Sequence, residues 1–159
     1  MALPPFQTFL DEHAAVVRRV LVAAVGLEDA EDCFQETFLS ALRVYDRLRP
    51  DSDLRAWVLT IAHRKALDAH RARARRAVPV EGAGEDVPGA PPPPPAAERD
   101  GALWARVRAL PPKQRGAVVH RVLLDLPYAE VARIIGGSEE AARRSAHDGL
   151  TRLRQEMTS

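Results

Sequence analysis

Aromatic residues are scarce in this sequence, with four Phe, two Trp and two Tyr among 159 residues. Strands are built largely from β-branched and aromatic side chains, so a chain dominated by Ala, Leu, Val and Arg is expected to pack helices rather than a sheet. Cysteine is nearly absent. Cys33 stands alone, which rules out an internal disulfide framework; its place on an apolar stripe fits a reduced compartment and a plain core role. No apolar run nears the roughly 20 residues needed to cross a bilayer. The N-terminal MALPPFQTFLDEH has neither a basic leader nor a long apolar stretch, so secretion is not expected. The expectation is a soluble, cytoplasmic, all-α protein.

Catalytic signatures are missing as well. His13, His63, His70, His120 and His147 are scattered, and with Cys33 they make no spacing that would hold a metal. Gly136-Gly137 lacks the following Lys of a phosphate-cradling loop. A nucleophilic thiol needs exposure and a nearby base, neither of which the Cys33 stripe offers. The sequence therefore predicts no catalytic residue, no metal, no cofactor and no enzyme.

What the chain does have is charge, sorted by sign. The net charge of +1 conceals five acids against one base from Asp29 to Asp46, and seven bases against one acid from Arg55 to Arg76. In DAEDCFQETFLSALRVYD, apolar or small residues recur at Ala30, Cys33, Phe34, Thr37, Phe38, Ala41, Leu42 and Tyr45, the spacing of a helix that buries one face. Asp29, Asp32 and Glu36 share a stripe on the other side, with Gln35 beside them. In LRAWVLTIAHRKALDAHR, Leu54, Trp57, Val58, Ile61 and Ala62 repeat the buried pattern, while Arg55, Arg64, Lys65 and Arg71 form an exposed basic set. The sequence thus predicts an acidic and a basic helix back to back over one small core. Such polarity suits a protein that holds another protein on one side and nucleic acid on the other.

Punctuation places the elements. A first helix is expected over Phe6–Val25, ended by Gly26, which is free to adopt the conformations that stop a helix. The acidic helix opens at Glu28-Asp29, where carboxylates meet the positive end of the helix dipole. The connection Asp46–Asp53 contains Pro50, and the basic helix runs from about Leu54 to Arg75. Residues 77–100 hold five consecutive prolines and five acids against one base, the composition of a semi-rigid extended tether. Four short helices are expected beyond it. The first spans about Ala102–Leu110, the second begins at Pro112 and ends near Leu124, and the third opens after Pro127 with Val131, Ala132, Ile134 and Ile135 inward. Gly136-Gly137 turns the chain into a last helix capped by Ser138. Helix, glycine turn and capped helix form a helix-turn-helix pattern.

At these residues a resemblance emerges. DAEDCFQETFLSAL followed by LRAWVLTIAHRKALDAHR resembles region 2 of bacterial sigma-70-type initiation factors, in the small extracytoplasmic-function (ECF) group. LPPKQRGAVVHRVLLDLPYAEVARIIGGSEEAARRSAHDGLTRLRQ resembles region 4 of the same group, in the family's order. The resemblance implies two small helical domains, residues 1–76 and 101–159, joined by the linker 77–100, and a minimal member of the group. It implies that Asp29, Asp32, Gln35 and Glu36 dock on the clamp helices of the largest subunit of core RNA polymerase. It places the −10 promoter element against Arg55, Trp57, His63, Arg64, Lys65 and Arg71, with a flipped base held by the Asp46–Asp53 connection. It places the −35 element against Ser138, Glu139, Glu140, Arg143, Arg144 and His147. An anti-sigma factor is a further implied partner, and the acidic linker is expected in the polymerase's nucleic-acid channels.

Trp57 keeps two readings, a stacking platform for a base or a core residue, and its periodic position favours the core. The sequence also departs from the family's pattern. Arg64 stands where many relatives have Asn, Pro127 replaces a Ser or Thr cap, Ala141 and Ala142 replace Thr and Val, and Asp148 stands where a base is common. These changes bear on promoter preference and on the strength of duplex binding. A competing reading is a sigma-like decoy that binds an anti-sigma factor without initiating transcription. A plain helix-turn-helix repressor leaves the first 76 residues unexplained.

Overall fold

A computed structural model of the chain describes residues 2–76 and 95–158. Seven α-helices carry the described residues, and no strand occurs among them: α1 Phe6–Val25, α2 Leu27–Val44, α3 Leu54–Arg76, α4 Pro95–Arg108, α5 Pro112–Val118, α6 Tyr128–Ile135 and α7 Glu139–Thr158. A 3₁₀ turn, Tyr45–Arg47, follows α2, and a π turn, Val119–Leu123, continues α5. The expected linker lies outside the described residues except for its last six positions. These already belong to α4, which starts earlier than the Ala102 expected. Pro95 opens that helix because a first-turn residue needs no intrahelical N–H bond.

Local chemistry sets the boundaries. Gly26 takes φ +85°, and its N–H donates to the Val22 carbonyl at 2.9 Å, closing α1 before α2 starts. Asp53 accepts the Ala56 N–H at 3.1 Å and so caps α3, a role its position before the apolar run permits. Ser138 Oγ accepts the Ala141 N–H at 3.1 Å at the head of α7. The turn before it has Gly136 and Gly137 both at φ +88°, a pair of left-handed residues that side chains with a Cβ would strain. Pro127 precedes α6 without any side-chain cap, as its missing hydroxyl requires.

Helices α1, α2 and α3 bury one core of Phe9, Val17, Leu21, Phe38, Val58 and Ala62. Phe9 lies at its centre, 5.2 Å from the Tyr45 ring and 5.7 Å from Trp57. Fully burying a side chain of this size contributes about 1.5–3 kcal/mol. The Tyr45 hydroxyl donates to the Pro4 carbonyl, pinning the N-terminal strand of chain onto the unit. Leu42, expected in the buried stripe, is instead half exposed, as is Leu39; both fall beside the face that Phe38, Ala41 and Tyr45 bury.

Helices α4–α7 surround Val107, Val118, Val131, Ile134 and Leu153. Gly149 lets α7 lie close on α5, since a Cβ there would fall 2.8 Å from Val118 Cγ2. Arg115 is buried, yet its guanidinium donates to the Arg108 and Leu110 carbonyls at 3.3 and 3.2 Å, tying α5 to the end of α4. The two units also share a core. Val20 and Ala23 of α1 and Leu59 of α3 are buried among Ala117, Val119 and Val131, so α1 and α3 dock against α4, α5, the π turn and α6.

Candidate functional site

The acidic strip lies on α2 as a solvent-facing row. Asp32, Gln35 and Glu36 are exposed and Asp29 is half buried, on the side of the helix opposite Ala30, Phe38 and Ala41. The two charged helices are not back to back, however. Arg73 near the end of α3 reaches Glu28 Oε2 and Asp29 Oδ2, both at 3.3 Å. Helix α3 is long enough to run alongside α2, so its last turns face the strip. Together they line an open basin of about 310 Å³ with Asp29, Asp32, Glu36, Lys65, Arg73 and Arg76 among its walls. Cys33 forms part of its floor. Burial, and then Asp29 and Glu36, push its thiol up to about 11, which keeps it protonated and unreactive.

The six residues expected along a single strand path do not share one side of α3. Successive helical residues project about 100° apart, so His63, Arg64 and Lys65 point three ways. Arg64 faces solvent, and Arg71 follows two turns later on the same stripe, also exposed. Lys65 lines the basin on the α2 side. Arg55 is exposed at the head of the helix, close enough to His13 of α1 to oppose its protonation. Trp57 packs against Phe9 and Tyr45 and is half buried, which places it in the core as its periodicity suggested. His63 is buried, because the second domain covers its side of α3: its ring meets His120 edge-on at 5.8 Å. The structure therefore unites Arg64 and Arg71 on one exposed stripe and disperses the other four.

The α6–α7 pair presents the second surface. Glu139, Glu140, Arg143, Arg144 and His147 are all exposed along the first turns of α7, with Ser138 exposed at its head. Glu140, Arg143, Arg144 and His147 rim one shallow depression. Arg143 is partly held in place, 3.2 Å from Glu139 Oε1 and 5.1 Å above the Tyr128 ring. Ala142 is buried in the helix-turn-helix core, whereas Ala141 and Asp148 face outward. Among the described residues, no group of three or more His, Cys, Asp or Glu side chains gathers as a metal would require. No helix among them is long and apolar enough to cross a membrane.

Sequence reasoning missed the seam between the domains. His120 is fully buried, its Nδ1 2.8 Å from the Gly116 carbonyl and its Nε2 without a partner. Beside it, one terminal nitrogen of Arg115 is also unsatisfied. The only signal in the sequence was the LPPKQR run, whose Arg reads as a surface charge until the packing is known.

Comparison with known proteins fits this geometry. Residues 7–76, the first helical unit, match the family profile Sigma-70 region 2, and residues 100–153, the second, match Sigma-70 region 4. The RNA polymerase sigma factor CarQ of Myxococcus xanthus is 32% identical over 94% of this chain and 87% of its own length. The ECF RNA polymerase sigma factor SigD of Mycobacterium tuberculosis is 35% identical over 94% of this chain and 76% of its own. The fold is similar to that of the sigma factor RpoE solved with the anti-sigma factor NepR from Bartonella quintana, at a TM-score of 0.76 and 20% identity over 96% of both chains. Two helical units in this order, each matched separately and spanned together by single relatives, place the chain in the sigma-70 family, within its ECF group of transcription initiation factors.

Proposed function

We propose that this chain joins core RNA polymerase through Asp29, Asp32, Gln35 and Glu36 and directs it to promoters. The observation that carries the reading is the joint exposure of two surfaces of opposite character. One is an acidic row on the region 2 unit; the other is the exposed arginine pair Arg143 and Arg144 in the second turn of the recognition helix of the region 4 unit, behind Glu139 and Glu140. The acidic row supplies the charge complement for a basic partner surface. Glu139 to His147 occupy the part of a recognition helix that enters the major groove, where Arg143 and Arg144 can meet base edges or phosphates. Arg64 and Arg71 supply a cationic stripe for the separated strand of the −10 element, which offsets part of the cost of unstacking bases. The protein then works where polymerase and chromosome are, in the cytoplasm, and an anti-sigma factor is its expected negative regulator. The decoy reading is not favoured, since the relatives that align along nearly the whole chain are named as sigma factors.

Run-off transcription with purified bacterial core enzyme and a library of promoter fragments tests the proposal. Specific initiation only when this chain is added supports it. Core enzyme that gains no promoter preference, in the presence of folded protein, overturns it.

A further inference from the structure

The seam between the domains has a chemistry of its own. On the α3 side stands His63, with Arg64 its charged neighbour on the same helix. Facing it are Arg115 and Gly116 of α5 and His120 and Val119 of the π turn, while α1 contributes only Val20 and Ala24. Ile135 of α6 closes the far side. Every titratable or charged group in this set is a base, and no carboxylate lines it. His120 Nε2 and an Arg115 nitrogen end in the seam with no partner. The fit is tight: a Cβ at Gly116 would fall 3.0 Å from His63 Cε1 and 3.1 Å from Ile135 Cγ2.

What the seam covers matters for DNA. A cleft of about 380 Å³ has His63, Leu67 and Arg71 of α3 on one wall and Lys113, Gly137 and Ser145 of the helix-turn-helix unit on the other. The closed arrangement therefore leaves one end of the Arg64–Arg71 stripe facing the second domain across a narrow gap.

We propose that the docked domains form an autoinhibitory latch, closed only while His63 and His120 are neutral, that crowds a strand at the Arg71 end of the α3 stripe, where the second domain stands across the cleft, and leaves Arg64 open. The latch itself stands on the seam; its regulatory meaning rests on the reading of Arg64 and Arg71 as strand-binding residues. A proton on either imidazole puts a cation beside the half-satisfied Arg115 guanidinium in a site that water barely reaches. Burial already holds His63 down to about 4, with His120 and Arg115 adding to the effect, and burial lowers His120 too. Separating the domains returns His63 to water, so acid or a permanent positive charge at this position shifts the equilibrium toward the open form.

Small-angle X-ray scattering of the full chain reads the latch directly. Near neutral pH the wild type should have the radius of gyration of a compact chain of this length, about 15 Å, and should expand toward about pH 5, where an unshifted imidazole is protonated. His63→Lys should be expanded already at neutral pH, with its helical circular dichroism retained. His63→Gln should stay compact to lower pH than the wild type. Gly116→Ala, which adds no charge, provides a second route to opening by steric conflict across the seam. If His63→Lys and Gly116→Ala both keep their helices and remain as compact as the wild type, the latch is refuted. Acid expansion of His63→Gln identical to the wild type refutes it too. Single-strand affinity, measured by anisotropy with a labelled oligonucleotide, separates the two readings. Open Gly116→Ala that binds several-fold more tightly supports both. Open Gly116→Ala with unchanged binding keeps the latch and sinks the strand-binding stripe.

Discussion

Arg73 lies 3.3 Å from the carboxylate of Asp29, so the basic helix pairs with the acidic row at one end, while Asp32 and Glu36 open onto the basin between the two helices. Arg73 is half exposed, as is the carboxylate it meets, and an ion pair in such a setting contributes about 0–1 kcal/mol. Its consequence is positional. Asp29 is committed to a contact within the chain, while Asp32 and Glu36 form no ion pair among the described residues. The row is therefore graded along α2 in its availability to a partner.

Asp32→Arg combined with Glu36→Arg should abolish capture of core polymerase in a pull-down or interferometry assay. Exposed positions of this kind usually change stability by no more than about 0.5 kcal/mol, so the thermal melt should hardly move. Asp29→Ala should cost less affinity than the double reversal, because Asp29 is already partly screened by Arg73. Full core affinity in the double variant would refute the docking row.

Trp57 separates packing from base stacking. Truncating a buried Trp costs about 3–5 kcal/mol, and Trp57→Ala should fall near the lower end because the ring is only half buried among Phe9 and Tyr45. Urea melts should show the loss, and Trp57→Phe should recover most of it. A Trp57→Ala variant of native stability that has lost single-strand binding would instead make the ring a stacking platform.

Much of this was legible because Pro and Gly mark the helix ends. Phe6–Val25 follows directly from Pro5 and Gly26, and Gly136-Gly137 with Ser138 marks the turn into α7. The exposure of the Asp32–Glu36 row was legible from one helical period opposed to one run of charges. The docking of the domains was not. Leu59 falls outside the stripe that packs α3 on α1 and α2, yet it is 1% exposed because a second domain covers it. Ala23 of α1 is hidden in the same way. A periodic pattern reports the face buried against near neighbours. It does not report a second, smaller face buried by helices that come later in the sequence, and His63 belongs to that face.

On the recognition helix, Arg143 and Arg144 should not behave alike. Arg143 is held by Glu139 and the Tyr128 ring, whereas Arg144 extends from the next position with no such support among the described contacts. If Arg143 reads a base, Arg143→Ala should cost about 1–3 kcal/mol and relax the preference at one promoter position. If Arg144 meets a phosphate, Arg144→Ala should weaken all duplexes similarly and reduce the salt slope by about one. Competition binding across a −35 library at two salt concentrations distinguishes these outcomes. Equal loss on every sequence for both variants would remove base reading from Arg143.

The histidines give stability a definite dependence on pH. Burial holds His63 down to about 4 from 6.5, and His13, His70 and His120 are lowered as well, each with burial as the main cause. A base with a depressed folded pKa binds fewer protons when folded than when unfolded between the two values. Stability must therefore rise with pH across that window, and it is lost as pH falls from 6.5 toward 4. Each unit of depression corresponds to about 1.4 kcal/mol, so His63 alone makes an order-of-magnitude contribution of a few kcal/mol. Chemical denaturation at a series of pH values should show this slope in the wild type and a shallower one in His63→Gln. The remaining slope belongs to His13, His70 and His120, which burial lowers as well. If stability were level from pH 6.5 down to about 4, the imidazoles would have to be charged in the folded chain, and the all-basic seam around Arg115 could not stay closed.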